Sequence, residues 1–391
     1  MGYAVCMKAL YINTTEQLEE LCQRLQDCEW LAIDTEFMRE KTYYPQLCLL
    51  QIGTPEITAC IDPLAIEDLS PVLDLIYKPT MTKVFHAGGQ DLEIFYHLRD
   101  ALPAPVFDTQ IAAPLLGFPE QAGYARLVED IVGVSLKKTH TRADWSHRPL
   151  SEAQLEYAAD DVVYLCQIYK VLLEKLSEKG RLDWLKDDFS QLSDITRYQN
   201  PPEKAWLRVK AARKLRSSQL ATLQALAAWR EQQAQKENLP RGWLIKDDVM
   251  ADIARQQPGT AEELGRIRGL GERTIKRRSE VILNIINSNR KSVPDAMPGY
   301  TKMAKPSTAQ EAVIDLLNAV VHFRADEHQL NPAQLVSRKQ LQQIVLGEST
   351  SDLLKGWQGK LIGQELEAAM NGDLSLSVKD GALVLIDKSE S

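Results

Sequence analysis

The stretch Trp30-Leu-Ala-Ile-Asp-Thr-Glu-Phe37 sets two carboxylates, Asp34 and Glu36, two residues apart at the end of an apolar run. The run reads as a buried strand interrupted by charge. In a strand, residues i and i+2 point to the same face, so Asp34 and Glu36 project side by side. Two like charges that close are unfavourable unless something neutralises them. A hard divalent cation, which takes carboxylate oxygens, meets that need. The alternative is a half-exposed edge strand with a solvated acidic face, and this fragment alone leaves both readings open.

Further strands are expected at 46–53, 57–61 and 82–86, with a helix near 66–77 between the last two. A Gly88-Gly89 turn follows, more a tight turn than a phosphate cradle because no Lys-Ser/Thr comes after it. Helices are expected from about Gln90, from Thr109 and over 124–131. The longest periodic segment opens at Ser151, a good N-cap. Apolar residues then recur at 155, 158, 162, 165, 169, 172 and 176, which is helical spacing. Strands followed by alternating strands and helices predict a mixed sheet flanked by helices, an α/β domain over residues 1–195. Asn200-Pro201-Pro202 marks a linker, assigned to 196–211. Residues 212–291 read as all-helical, 292–306 as a second linker, and 307–391 as a further helical domain. That last domain closes on a hairpin signal around Asp380-Gly381.

Composition is that of an ordinary globular chain. No apolar window is long enough for a transmembrane helix, and no signal peptide is apparent. Six cysteines without a Cys-x-x-Cys pair argue against zinc or a disulfide framework, and fit a reduced, cytoplasmic setting. Charge is uneven: the net is −13 over residues 1–202, +9 over 203–291 and −4 over 292–391. A basic middle segment in an acidic chain points to a polyanion-binding surface, or to a helical domain with solvated basic faces.

Three further acids stand out. Asp91 follows His86-Ala-Gly-Gly-Gln and falls in the first turn of a helix, where an acid can also serve as a cap. Asp108 follows Pro105-Val-Phe and is read as structural, as is His86. Asp161 lies four residues after Tyr157 in the long helix, so both project from one face, with Asp160 as its neighbour. Glu93 is expected on the surface. The pattern resembles the DEDD superfamily of 3′→5′ exonucleases in its tyrosine branch. The first motif, Asp-x-Glu, matches Asp34-Thr35-Glu36; the second acid matches Asp91; the third motif, Tyr-x-x-x-Asp, matches Tyr157 to Asp161. Tyr43-Tyr44-Pro45-Gln46-Leu47 and Phe107-Asp108-Thr109-Gln110 narrow the resemblance to the ribonuclease D family. The resemblance implies a ribonuclease-H-like fold and two divalent cations, Mg²⁺ or Mn²⁺. It implies that Asp34 touches both cations, that Glu36 and Asp161 complete one site, and that Asp91 holds the second, directly or through water. Tyr157 would orient the attacking water.

Residues 217–287 resemble an HRDC domain, a helical module that accompanies ribonuclease D and some helicases. Gln219-Leu-Ala-Thr-Leu-Gln-Ala-Leu-Ala-Ala-Trp-Arg230 and Leu264-Gly-Arg-Ile-Arg-Gly-Leu-Gly-Glu-Arg-Thr-Ile-Lys276 carry the likeness. Gly269 and Gly271, ahead of a helix, expose amides that can take a phosphate. Arg266, Arg268, Arg273, Lys276, Arg277 and Arg278 surround them. Trp206 and Trp229 are read as core. Residues 305–370 are expected to be a second, diverged HRDC-like domain whose acidity disfavours direct nucleic-acid binding. The function expected is 3′→5′ exoribonucleolysis of tRNA precursors with single-stranded 3′ ends, releasing nucleoside 5′-monophosphates. A cytoplasmic monomer without an obligate protein partner or membrane contact is expected. DNA exonuclease activity and noncatalytic nucleic-acid binding are the alternatives.

Overall fold

Residues 9–136, 143–295 and 304–387 are described by the structure, a computed structural model. Six strands form one mixed sheet: β1 (Leu10–Ile12), β2 (Trp30–Met38), β3 (Gln46–Gly53), β4 (Thr58–Ile61), β5 (Thr82–Phe85) and β6 (Val106–Asp108). Their order is β1-β4-β3-β2-β5-β6. β2 is antiparallel to β3 and parallel to β5, which places the acidic strand in the middle of the sheet. The solvated edge-strand reading of residues 30–37 is thereby excluded. β1 and β6 leave no mark in the sequence, because three residues are too few for alternation to register.

The helices of this domain are α1 (Thr15–Leu25), α2 (Ser70–Ile76), α3 (Gly89–Arg99), α4 (Thr109–Ala112), α5 (Tyr124–Val132) and α6 (Glu152–Glu178). Alternation along β2 divides the core into two layers. Leu31 and Ile33 pack with Leu18, Leu21, Val72, Leu92 and Phe95 of α1–α3. Ala32, on the opposite face, packs with Leu127, Val162, Leu165 and Tyr169 of α5 and α6. Asp34 and Glu36 continue the Ala32 face, so they look toward α6. At Gly53 a Cβ would stand 2.9 Å from Val162 Cβ and 3.0 Å from the Val162 carbonyl. The missing side chain is what lets α6 lie this close across β3.

The expected linker is partly structured. Pro202–Arg208 and Lys210–Lys214 form 3₁₀ segments, and Ala205, Trp206, Val209 and Ala212 are buried in the next helical core. The physical reason is Trp206: an indole that size is stabilised by burial, and Pro202 presets the first turn. α7 (Lys186–Leu192) precedes them, and α8 (Ser217–Glu237), α9 (Arg241–Leu244), α10 (Asp247–Gln256), α11 (Ala261–Gly265) and α12 (Glu272–Asn289) complete that core. The second expected linker, 292–306, falls largely outside the described residues. A third core forms around α13 (Thr308–Glu327), α14 (Pro332–Leu335) and α15 (Arg338–Val345), again a long helix, a four-residue helix and a third helix. β7 (Leu374–Lys379) and β8 (Ala382–Asp387) make the terminal hairpin.

Both helical units touch the α/β domain. Asn238 Oδ1 accepts from the amides of Tyr43 and Tyr44, and the Tyr43 hydroxyl donates to buried Glu231. Arg241 bonds Glu231 and lies over the Tyr43 ring, 4.7 Å from its centroid. On the other side, Arg181 donates to the carbonyls of Leu115 and His328, and Trp184 stacks on Trp357 with ring centroids 4.6 Å apart and planes within 4°. Cys22, Cys28, Cys48, Cys60 and Cys166 are free, and no described helix is long and apolar enough to cross a membrane.

Candidate active site

The β2–β3 register slips between Glu36 and Phe37. Such bulges re-aim side chains and recur beside active sites. Just before the slip, Asp34 and Glu36 face α6, and one carboxylate oxygen from each lies within 4.8 Å of one from Asp161. Asp160 stands outside this group. Two devices set Asp161. Ser151 and Gln154 form a reciprocal capping box at the start of α6. The Tyr124 hydroxyl donates to the Asp161 carbonyl at 2.5 Å and the Asp160 carbonyl at 3.1 Å.

Asp91 approaches from the other layer. It lies in the first turn of α3, buried, and accepts a 2.5 Å hydrogen bond from Thr35, whose side chain points away from α6 between the two acids of β2. It lies beside the three-carboxylate group without joining it. Asp108 fixes where α3 starts. Its carboxylate accepts from the amides of Ala87 at 3.0 Å, Gly88 at 2.8 Å and Gln110 at 2.8 Å. Ala87 is held at φ +57°, and a Cβ on Gly88 would collide with Phe85 at 2.5 Å, so the turn between β5 and α3 is tightly determined. His86 Nδ1 pairs with the Thr109 hydroxyl at 2.9 Å.

The electrostatics are those of an overcrowded anion site. Burial, and after it repulsion from Asp161, Asp91 and Glu36, pushes Asp34 well above the usual carboxylate range. Burial followed by Asp161 and Asp91 raises Glu36 to about 8. Burial and then Asp160 raise Asp161 to about 7. Asp91 is pushed up to about 6, chiefly by burial, with the Thr35 hydrogen bond pulling the other way. Tyr157, half-buried one turn before Asp161, is pushed up by burial and by the charges of Asp161, Glu36 and Asp34. All-oxygen donors that repel one another when ionised fit hard divalent cations such as Mg²⁺ or Mn²⁺.

Thr35, Gly53, Tyr124 and Arg39 also shape the site, and none of them carries a sequence signal of its own. Glu93 is not the free surface residue expected. It is bound by Arg39 at 2.7 and 2.8 Å and lies half-buried near His97. Arg39 immediately follows β2, so this pair ties the end of the acidic strand to α3.

The chain matches the 3′-5′ exonuclease family over residues 10–177 and the HRDC domain over residues 219–286. A ribonuclease D of Sphingobium indicum is 40% identical over 381 residues, spanning 95% of this chain and 97% of that relative. One of Zymomonas mobilis is 39% identical over 387 residues, spanning 96% and 98%. The chain belongs to the ribonuclease D family. Escherichia coli RNase D, described as an exoribonuclease involved in structured RNA processing, aligns with a TM-score of 0.77 at 33% identity over 94% of this chain and 99% of that one. The catalytic core of RRP6 from Trypanosoma brucei shares the fold, with a TM-score of 0.58 at 22% identity over 74% and 81%. As a ribonuclease D, the chain is a 3′→5′ exoribonuclease with an HRDC nucleic-acid-binding module.

In that module Gly271 caps α12, and Gly269 has φ +85°, with Leu270 buried between them. Arg268, Arg273, Lys276 and Arg277 are exposed around this turn. Arg266 pairs with Glu262, and Arg278 pairs with Glu237 while lying over Trp229.

Proposed function

We propose that this ribonuclease D trims the 3′ ends of tRNA precursors by two-metal-ion hydrolysis, as a cytoplasmic monomer, releasing nucleoside 5′-monophosphates. The meeting of Asp34, Glu36 and Asp161 within 4.8 Å, with Asp91 alongside, carries the reading. Asp34 would serve both cations, Glu36 and Asp161 one of them, and Asp91 the other. Held there, two divalent cations would supply activation of the attacking water and stabilisation of the leaving oxyanion. The remaining work belongs to the chain. Water attacks the terminal phosphorus, and the 3′-oxygen of the penultimate nucleotide leaves, taking a proton. The shortened RNA keeps a 3′-hydroxyl, and the phosphate stays on the released nucleotide.

Tyr157, with its phenol pushed up, keeps its proton at working pH. It therefore acts as a hydrogen-bond donor that orients water and phosphate, not as a base. The basic turn of the HRDC domain supplies affinity. Backbone amides at Gly269 and Gly271, with Arg266, Arg268, Arg273, Lys276 and Arg277, would grip phosphates regardless of sequence. The repeated helix succession in residues 308–345 supports reading 307–391 as a second, diverged HRDC-like domain that shapes the RNA path.

The test compares a 5′-labelled tRNA precursor with a 3′ extension and a DNA strand of matched length. Each is incubated with Mg²⁺ or Mn²⁺, beside Asp34→Ala. Stepwise shortening of the RNA to the mature 3′ end, absent in the variant, is expected. Equal or faster degradation of the DNA, or shortening that survives Asp34→Ala, refutes the proposal.

A further inference from the structure

Gln51 is fully buried in the middle of β3, and neither its carboxamide oxygen nor its nitrogen has a hydrogen-bond partner among the described residues. Its cross-strand neighbours are Asp34 on β2 and Cys60 on β4. Directly opposed residues in an antiparallel pair share a face, with Cβ atoms about 5 Å apart. Gln51 therefore lies on the α6 face beside Asp34, flanked on its own strand by Leu49 and Gly53, within the floor of the carboxylate site. Cys60 is a poor partner, because its Sγ already approaches the Leu155 carbonyl at 3.9 Å.

Leaving both ends of a carboxamide unpaired in a core is unfavourable, and an apolar side chain of the same length would serve packing better. The amide lies next to the Asp34 carboxylate across the β2–β3 pair. Turning that carboxylate toward a cation would leave an oxygen as an acceptor within reach of the amide. Outer hydrogen bonds of this kind orient metal-ligating side chains, and their loss weakens metal binding.

We propose that Gln51 is a positioning residue for Asp34, its amide N–H holding the carboxylate in the orientation from which it can serve the cations. This rests on the reading of the Asp34 cluster as a divalent-cation site.

The test uses the full chain and two variants, Gln51→Met, apolar and of equal length, and Gln51→Asn, which keeps the amide but shortens its reach. Mn²⁺ binding is followed by calorimetry without RNA, and thermal melting in chelator. Both variants are expected to bind Mn²⁺ about tenfold more weakly. Gln51→Met should melt at or above the wild-type temperature, because two unpaired polar atoms are gone. With RNA, kcat should fall while KM holds. Wild-type Mn²⁺ affinity in Gln51→Met overturns the inference alone, and so does a lowered melting temperature, which would show the amide holding the fold. Absence of Mn²⁺ binding by the wild-type protein overturns the cation-site reading as well.

Discussion

Replacing Glu36 by Gln should stabilise the cation-free protein while destroying its activity. Glu36 is raised from 4.5 to about 8, mainly by burial and then by Asp161 and Asp91. One pKa unit is about 1.4 kcal/mol, so holding the ionised carboxylate in the folded, cation-free site costs up to ~5 kcal/mol. Asp161 shares part of that repulsion, and the side chain is partly open to solvent, so a gain of ~2 kcal/mol for Gln is expected after screening. The sign follows from linkage. A folded pKa above the unfolded value means that the folded state binds more protons between the two, so stability falls as pH rises from about 4.5 to about 8. Wild type and Glu36→Gln should therefore melt together near pH 4.5 and diverge above it. By pH 8.5 the variant should lead by about 4–8 °C for a domain of this size. Thermal melts of the chelator-treated chain at both pH values, repeated with Mg²⁺, provide the assay. Mg²⁺ should raise the wild type more than the variant at pH 8.5. A variant that melts at or below the wild-type temperature at pH 8.5 would refute the claim that burial and the neighbouring acids oppose the charge of Glu36 in the folded site.

Gly53→Ala should force α6 away from β3, because the new methyl would meet Val162 Cβ at 2.9 Å; a loss of ~1–3 kcal/mol in denaturant melts is expected, with a fall in kcat larger than stability explains. Tyr124→Phe deletes the donor to the Asp160 and Asp161 carbonyls and should cost ~1 kcal/mol while lowering kcat several-fold; an unchanged kcat would remove Tyr124 from the positioning of α6. Arg273→Ala with Lys276→Ala should weaken RNA binding and flatten its salt dependence by about 0.7 in log–log slope for each phosphate left without its cation, read by anisotropy across a salt series; an unaltered slope would move the RNA grip elsewhere.

The clustered carboxylates were legible because their spacing writes itself into short local patterns. An i, i+2 pair needs only a strand, and an i, i+4 pair needs only a helix. The devices that bring the elements together left fainter marks. Gly53 matters through the backbone of a helix more than a hundred residues later, and nothing near it in the chain announces that approach. Tyr124 acts on main-chain carbonyls, so its partners carry no side-chain signature. Thr35 was visible only as the residue between two acids, yet the alternation that unites those acids sends Thr35 to Asp91. The helix Thr15–Leu25 is a different case: a Thr14 cap and leucines at 18, 21 and 25 mark it as plainly as α6 is marked. The stretch 202–214 looked like a break because two prolines open it, but Trp206 draws it into the helical core.

The stacked pair Trp184 and Trp357 gives this chain an optical consequence. Two stacked indoles this close couple their ultraviolet transitions, and an in-plane twist between the rings should give the pair a circular-dichroism signal that neither ring gives alone. Trp184 belongs to the catalytic half and Trp357 to the last helical unit, so the signal should persist only while those parts stay docked. RNA that parts them to pass between would quench the signal, and RNA that enters by another route would leave it intact. A chromophore already present in the chain would thus report whether this contact opens when RNA binds, without any added label.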